Sequence, residues 1–290
     1  MQLITGKTKL LGIIGQPVEH SLSPVMHNAA IASMGLDYVY IPFPVKQGNL
    51  TTALAGFEAV GLTGFNITIP HKQEIMSLLS AIADDAASIG AINTVWRTPT
   101  GWKGTNTDVT GFIAPLKAMS LDWAKLMPVV LGNGGSARAV IAGLSRLGCP
   151  KIHVVGRNPN NLARFSQSWS NTPQIAERIK IHPWDDLSNL IPAADLLVNT
   201  TPVGMSPKIE ASPVDESLMQ RLKPQAIAYD LIYTPSPTRF LQLAQAQGAT
   251  TIDGLEMLLQ QGVAALEIWL QQPVPVDVMR QALQQHLANS

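Results

Sequence analysis

Asn66, Thr68 and Lys72 lie in one short segment, Gly64-Phe65-Asn66-Ile67-Thr68-Ile69-Pro70-His71-Lys72. Side chains alternate along a strand, so Asn66 and Thr68 share one face while Phe65, Ile67 and Ile69 share the other. An amide and a hydroxyl near the end of a parallel strand suit a ligand, because open α/β sheets bind beyond the carboxyl ends of their strands. Pro70 reads as the start of a helix, with Lys72 in its first turn. A cation there opposes the helix dipole by roughly 0.3–1 kcal/mol at an exposed site, and the same field favours the neutral amine that a proton-transferring lysine needs. Taken alone, Lys72 is a surface lysine with a small electrostatic cost. Adjacent helical residues diverge by about 100°, so His71 is given a structural role.

Other polar clusters precede and follow this one. In Gly104-Thr105-Asn106-Thr107-Asp108 an extended backbone points Asn106 and Asp108 the same way. The ordinary alternative makes Thr107 the cap, and Asp108 the first-turn acid, of a following helix. Asn93-Thr94 adds another amide and hydroxyl. In Ser21-Leu22-Ser23-Pro24, Ser23 has work available as an N-cap with Pro24 at the first helical position, whereas Ser21 has no such explanation.

A different chemistry follows Val129-Val130-Leu131. Gly132-Asn133-Gly134-Gly135-Ser136-Ala137 fits G-x-G-x-x-A, the alanine variant of the dinucleotide-binding turn. The first glycine makes the tight turn, the second admits a pyrophosphate to the backbone, and Ala137 allows close helix–strand contact. Amides opening the helix then face the phosphates. An NAD site usually places an acid about 20 residues beyond the glycines, to bond the ribose 2′-hydroxyl. No Asp or Glu occurs between Gly132 and Ala176, and the next strand ends in Gly156-Arg157-Asn158. Guanidinium pairs with a 2′-phosphate and stacks on adenine, so NADP is expected over NAD.

The elements that position these residues alternate along the chain. Apolar runs predict strands at Leu10–Gly15, Tyr38–Phe43, Gly64–Ile69, Ala91–Arg97, Val129–Gly132, Lys151–Gly156, Leu196–Asn199 and Ala226–Leu231. Helical period is read in Pro24–Met34, Gly111–Met119, Ala137–Leu147 and Thr238–Gln247, and Gly254–Ser290 reads as entirely helical. This is an α/β pattern with mainly parallel strands and a boundary near Asp108. Hydrophobic residues are 46% and charged ones 14% of the 290, enough for a sizeable core. Lys plus Arg and Asp plus Glu balance at 20 each, which argues against broad capture of nucleic acid or an acidic membrane. Cys149 is the single cysteine, so no internal disulfide forms and a reducing compartment fits. Met1–Lys7 lacks a basic stretch followed by a long apolar run, and no window approaches a membrane span, so the cytoplasm is expected. The histidines show no metal-ligand spacing, and no metal is expected.

Together these segments resemble the shikimate dehydrogenase family over nearly the whole length. The pieces that carry the resemblance are Ser21–Pro24, Asn66–Lys72, Gly90-Ala91-Ile92-Asn93-Thr94, Gly104–Asp108 and Gly132–Ala139. They continue with Asn199-Thr200-Thr201-Pro202-Val203-Gly204-Met205, Tyr229–Pro235 and Asp253–Gln261. The resemblance implies an α/β substrate domain of residues 1–107, completed by C-terminal helices 254–290, and a Rossmann-like, doubly wound NADP domain over 108–253. It implies reversible NADPH-dependent reduction of 3-dehydroshikimate to shikimate, a step of aromatic amino acid biosynthesis.

By the same resemblance Ser21 and Ser23 hold the substrate carboxylate. Asn66, Thr68, Asn93, Asp108 and Gln261 hold the hydroxyls and ketone, and Tyr233 lines the pocket. Lys72 and Asp108 form the catalytic pair. Gly132, Asn133, Gly134, Gly135, Ser136, Ala137, Gly156, Arg157, Asn158, Leu231 and Gly254 surround the cofactor, with Asp84 at its nicotinamide end. Family members using NADP often carry Asn-Arg-Thr where this chain has Gly156-Arg157-Asn158. The arginine is kept and its two hydrogen-bonding neighbours differ, which leaves the margin over NAD open. Alternatives are activity on quinate, a preference for NAD, or a dinucleotide sensor without catalysis. The expected partner is a small molecule, with no nucleic acid or membrane; a homodimer stays open.

Overall fold

The computed structural model describes residues 3–289. From the N-terminus run β1 (Lys9–Gly15), α1 (Ser23–Ser33), β2 (Tyr38–Pro44), α2 (Leu50–Ala59), β3 (Gly64–Ile67) and β4 (Ala81–Ile82). Then come α3 (Asp84–Ile89), β5 (Thr94–Thr98), β6 (Gly101–Thr105), α4 (Asp108–Lys117), β7 (Pro128–Leu131) and α5 (Gly135–Leu147). The middle continues with β8 (Ile152–Gly156), α6 (Pro159–Gln167), α7 (Pro173–Ala176), β9 (Ile179–Pro183), α8 (Leu187–Leu190) and β10 (Leu196–Asn199). It closes with α9 (Glu216–Met219), β11 (Ile227–Asp230), α10 (Arg239–Gln245), β12 (Thr250–Ile252), α11 (Leu255–Leu270) and α12 (Val276–Ala288).

Two compact units result. One comprises Met1–Thr107 with Leu259–Ser290, the other Asp108–Leu258, so the boundary falls inside α11.

The first unit holds a six-stranded sheet in the order β2-β1-β3-β5-β6-β4. Strands β1, β2 and β3 are parallel, but β5 runs antiparallel to both β3 and β6. The strands are mainly parallel, as expected, and the two pairings of β5 are the exceptions. β5 and β6 form a hairpin closed at Thr98 and Gly101, where the Thr98 hydroxyl donates to the Gly101 carbonyl. One face of the sheet buries Phe57, Phe65, Ile67, Val95 and Trp102. The C-terminal stretch expected to be helical consists of α11 and α12, separated by residues 271–275; Ser290 lies outside the described residues.

The second unit holds six parallel strands in the order β12-β11-β10-β7-β8-β9. Reading from β9, this is the 3-2-1-4-5-6 order of a doubly wound dinucleotide fold, whose switch point lies between the first and fourth strands, β7 and β10. Strands β7, β10 and β11 are buried throughout, as parallel strands covered on both faces must be. β4, β6, β9 and β12 were not among the expected strands. They are short or interrupted by Gly, Lys and His, so no apolar run marks them.

Candidate functional site

The first unit builds a buried polar network on its sheet. Asn66 on β3 is the register partner of Thr94 on β5, and its Nδ2 donates to Thr94 Oγ1 and to the Asn93 carbonyl, each at 3.1 Å. Tyr40 on β2 donates its hydroxyl to Asn66 Oδ1 at 2.7 Å. Both amide hydrogens of Asn66 are thereby used. Asn93 Oδ1 accepts from the Thr107 amide at 2.7 Å, while its Nδ2 donates to Thr107 Oγ1 at 2.9 Å and to Gln261 Oε1 at 3.3 Å. Asn66, Asn93, Thr107 and Gln261 are all buried. Chain segments 14 to 168 residues apart converge here. Thr107, which directly precedes α4, is bound to Asn93 and Thr94.

His27 lies beneath this network, stacked on Tyr40 with centroids 4.3 Å apart. Burial pushes its imidazole down to about 3, so the ring is neutral near pH 7. Burial raises the Tyr40 phenol, against a smaller opposing effect of Ser23.

Two local expectations need correction. Ser23 is the first residue of α1 and not its N-cap; Leu22 occupies the cap position, with no side-chain bond to the helix. Ser23 is buried, and its amide donates to Ser21 Oγ at 3.3 Å. Pro70 does not start a helix either. The carbonyls that a helix from Pro70 would use are taken elsewhere: Ile69 O accepts from Gln16 N at 2.9 Å, and Lys72 O from Ile92 N at 2.8 Å. Residues 69–73 form turns, and a 3₁₀ helix begins only at Glu74. Half-buried Lys72 is thus on a turn tied to the segment carrying Asn93. The dipole argument for this lysine falls with the helix. Thr68 follows β3, its amide donating to the Ile14 carbonyl, and is half-buried. His71 is fully buried, its Nε2 2.7 Å from the Val45 carbonyl and its Nδ1 3.4 Å from Glu74 Oε2, a structural position. Asp84 is exposed at the start of α3.

The second unit carries the glycine turn between β7 and α5. Gly132 has φ 105°, and a Cβ there would sit 2.7 Å from Thr200 Oγ1. At Gly134, by contrast, no protein atom lies within 4 Å of the Cβ position. That open space lets an external group approach the backbone. Gly134 is also the N-cap of α5, and it offers neither a side-chain cap nor an acid in the first turn. The first amides of a 13-residue helix are thus left for an anion. Ala137 is fully buried, as close helix–strand packing requires. Gly156 ends β8; a Cβ there would press on Leu162 at 2.9 Å and lie 3.3 Å from Asn133 Oδ1. Arg157 is exposed, and Asn158 caps α6 by accepting from the Asn161 amide at 3.1 Å. Ser136 and Asn133 are half-buried beside these glycines. The cradle therefore fits a dinucleotide pyrophosphate.

At the end of β11 a second buried hub fixes the following loop. Asp230 accepts from Thr238 Oγ1 at 2.7 Å, Asn199 Nδ2 at 3.0 Å and the Ile232 amide at 3.1 Å. Burial nevertheless raises its carboxyl to about 6. Half-buried Leu231 and Tyr233 flank Ile232, whose amide is bound to this hub. Gly254 is needed for packing, since a Cβ would meet Leu231 O at 2.1 Å. Asp108 is buried at the first position of α4.

Comparison with known proteins is decisive. The family model described as the shikimate dehydrogenase substrate binding domain matches residues 13–95, and that of the shikimate 5'-dehydrogenase C-terminal domain matches 254–284. A protein of Gloeothece citriformis named shikimate dehydrogenase (NADP(+)) is 61% identical over 287 residues, covering 99% of each chain. The chain belongs to the shikimate dehydrogenase family.

Solved shikimate dehydrogenase structures share the fold. The Listeria monocytogenes enzyme in complex with shikimate and NAD has TM-score 0.85 and 33% identity, covering 98% of this chain and 99% of that one. The Thermus thermophilus enzyme in complex with NADP(H) and shikimate has TM-score 0.82 and 32% identity, covering 96% and 99%. Within this family fold, Tyr40 and the Asp230 hub escaped the sequence reading. Tyr40 is one of several strand aromatics, and nothing local marks the one whose hydroxyl reaches Asn66. The hub residues Asn199 and Asp230 lie in segments that carried the resemblance, but only the fold brings them together.

Proposed function

We propose that this chain catalyses the reversible reduction of 3-dehydroshikimate to shikimate with NADPH. The carrying observation is the pairing of a dinucleotide cradle in one unit with a buried amide-and-hydroxyl network in the other, in a chain 61% identical end to end to an NADP(+) shikimate dehydrogenase. The unit of residues 1–107 with 259–290 serves as the substrate domain and that of 108–258 as the cofactor domain, five residues beyond the division expected at 253/254. When bound, the cofactor supplies the hydride; the protein supplies alignment and proton handling.

Ser21 and Ser23 receive the carboxylate of the substrate. Asn66, Thr68, Asn93 and Gln261 read its hydroxyls, and the amides of Asn66, Asn93 and Gln261 are already held by hydrogen bonds, so that little order remains to be gained there on binding. Tyr233 lines the pocket. Lys72 passes a proton to the oxygen that becomes the alkoxide, and Asp108 is its carboxylate partner. Gly132, Asn133, Gly134, Gly135, Ser136, Ala137, Gly156 and Asn158 hold the phosphates and adenosine, with Leu231, Gly254 and Asp84 toward the nicotinamide. Arg157 takes the 2′-phosphate. The cytoplasm is the proposed location, and a homodimer the proposed assembly.

Replacing Lys72 tests the chemistry. Removing a positioned acid–base group costs about 10²–10⁴ in rate, so Lys72→Ala is expected to lose kcat in that range with a milder change in KM for shikimate. Near-normal kcat in that variant removes the lysine from the mechanism.

A further inference from the structure

β8 and β9 are parallel neighbours, with Gly156 and Pro183 as register partners at their carboxyl ends. The next residue on each strand is Arg157 and Trp184. Two side chains leaving adjacent parallel strands in register emerge at the same end of the sheet, the end where α/β sheets bind ligands. Here they meet: the Arg157 guanidinium carbon lies 5.9 Å from the Trp184 ring centroid. Trp184 is itself anchored. Half-buried at the start of the 3₁₀ turn Trp184–Asp186, it packs on the core that includes Leu131, Val155 and Leu187. Arg157 has no carboxylate or hydrogen-bond acceptor among the described residues, so its donors are uncommitted.

An arginine on a flexible stem loses much rotational freedom when it grips an oxyanion, and a planar guanidinium resting on a fixed ring has already given up part of it. We propose that Trp184 is a positioning residue for cofactor choice: its indole supports the Arg157 guanidinium so that the donor edge is presented to the adenosine 2′-phosphate of NADP. The nearest neighbours bring no charge to this task. Gly156 has no side chain, and Asn158, whose Oδ1 caps α6, can offer only a neutral amide donor. Asn161, one turn along, accepts from Arg164 at 3.0 Å.

The proposal rests on the assignment of Arg157 to the 2′-phosphate, and the test separates the two. Kd for 2′-AMP and for 5′-AMP is measured by calorimetry, and KM for NADP⁺ and NAD⁺ with shikimate as co-substrate. Wild type is compared with Arg157→Leu, Trp184→Leu and Trp184→Phe. Loss of a cation–π support is expected to weaken 2′-AMP binding, and raise KM for NADP⁺, about 3–10-fold in Trp184→Leu. Values for 5′-AMP and NAD⁺ and the kcat at saturation stay within about twofold. Trp184→Phe keeps a smaller ring against the core and falls between wild type and Trp184→Leu.

If Arg157→Leu leaves the preference for 2′-AMP over 5′-AMP intact, the assignment of Arg157 fails and the proposal with it. If Arg157→Leu abolishes that preference while Trp184→Leu or Trp184→Phe keeps it whole, Trp184 is a core residue only. Equal weakening of 2′-AMP and 5′-AMP overturns the proposal as well.

Discussion

In the proposed function the two units hold small molecules by opposite means. In the first, the polar side chains Tyr40, Asn66, Asn93, Thr94, Thr107 and Gln261 are tied to one another. In the second, the glycine turn works by what it lacks: a Cβ at Gly134, a side-chain cap on α5 and an acid in its first turn. A substrate with several hydroxyls must be told apart from its isomers, and fixed amides do that because a misplaced hydroxyl leaves a buried group unpaired. A pyrophosphate is the same in every dinucleotide, so backbone amides and open space suffice. In the proposed assignment, discrimination between cofactors is left to Arg157 and Trp184 at the ends of β8 and β9.

The largest effect expected within the second unit concerns the Asp230 hub. Burial raises this carboxyl from 3.8 to about 6, so the folded protein keeps a proton that the unfolded chain has released. Stability from this source is complete below about pH 4 and is lost as the pH rises through about 6. A tenfold difference in proton affinity is worth about 1.4 kcal/mol, so the whole change is about 3 kcal/mol. Thermal melting between pH 4 and 7 should show this fall in the wild type and a flatter profile in Asp230→Asn. Parallel profiles would show that the three donors, and not burial, dominate at Asp230.

Glycine substitutions sharpen the contrast inside the cradle. Gly132→Ala meets Thr200 Oγ1 at 2.7 Å on a backbone with φ 105° and should cost about 1–3 kcal/mol of stability. Gly134→Ala places its Cβ more than 4 Å from the surrounding described residues and should melt like wild type, yet raise KM for NADP⁺ about 10-fold by filling the approach to the backbone. Equal destabilisation by both would erase the distinction between a glycine needed by the fold and one needed by a ligand.

The smallest expected effect is in the substrate network. Tyr40→Phe removes the donor to Asn66 Oδ1 and should cost about 1–2 kcal/mol. KM for shikimate should rise several-fold while KM for NADP⁺ is unchanged, as steady-state kinetics would reveal. A shift in KM for NADP⁺ of equal size would mean that the network does not serve substrate alone.

What could be read before the fold was known follows from this same difference. The cradle is local: glycines, strand and helix lie within a few residues, so Gly132–Ala137 declared itself by spacing. The network is not local. Asn66 was singled out by strand alternation, but its partners Tyr40 and Thr94 come from two other strands, and no periodicity predicts a cross-strand hydrogen bond. The α/β class emerged from apolar runs, while β6 and β9 stayed hidden because Gly, Lys and His interrupt them. The helix expected at Pro70 failed for a similar reason. Its carbonyls at Ile69 and Lys72 are claimed by Gln16 and Ile92, residues remote in the chain. Local propensity cannot see such competition.

The most direct measurement is absorbance at the nicotinamide band after mixing the protein with shikimate and NADP⁺, run beside the pairs shikimate with NAD⁺ and quinate with either cofactor. Growth of the reduced-nicotinamide band should be fastest, by kcat/KM, for shikimate with NADP⁺. A folded protein that binds NADP⁺ yet gives no absorbance change with shikimate would contradict the account.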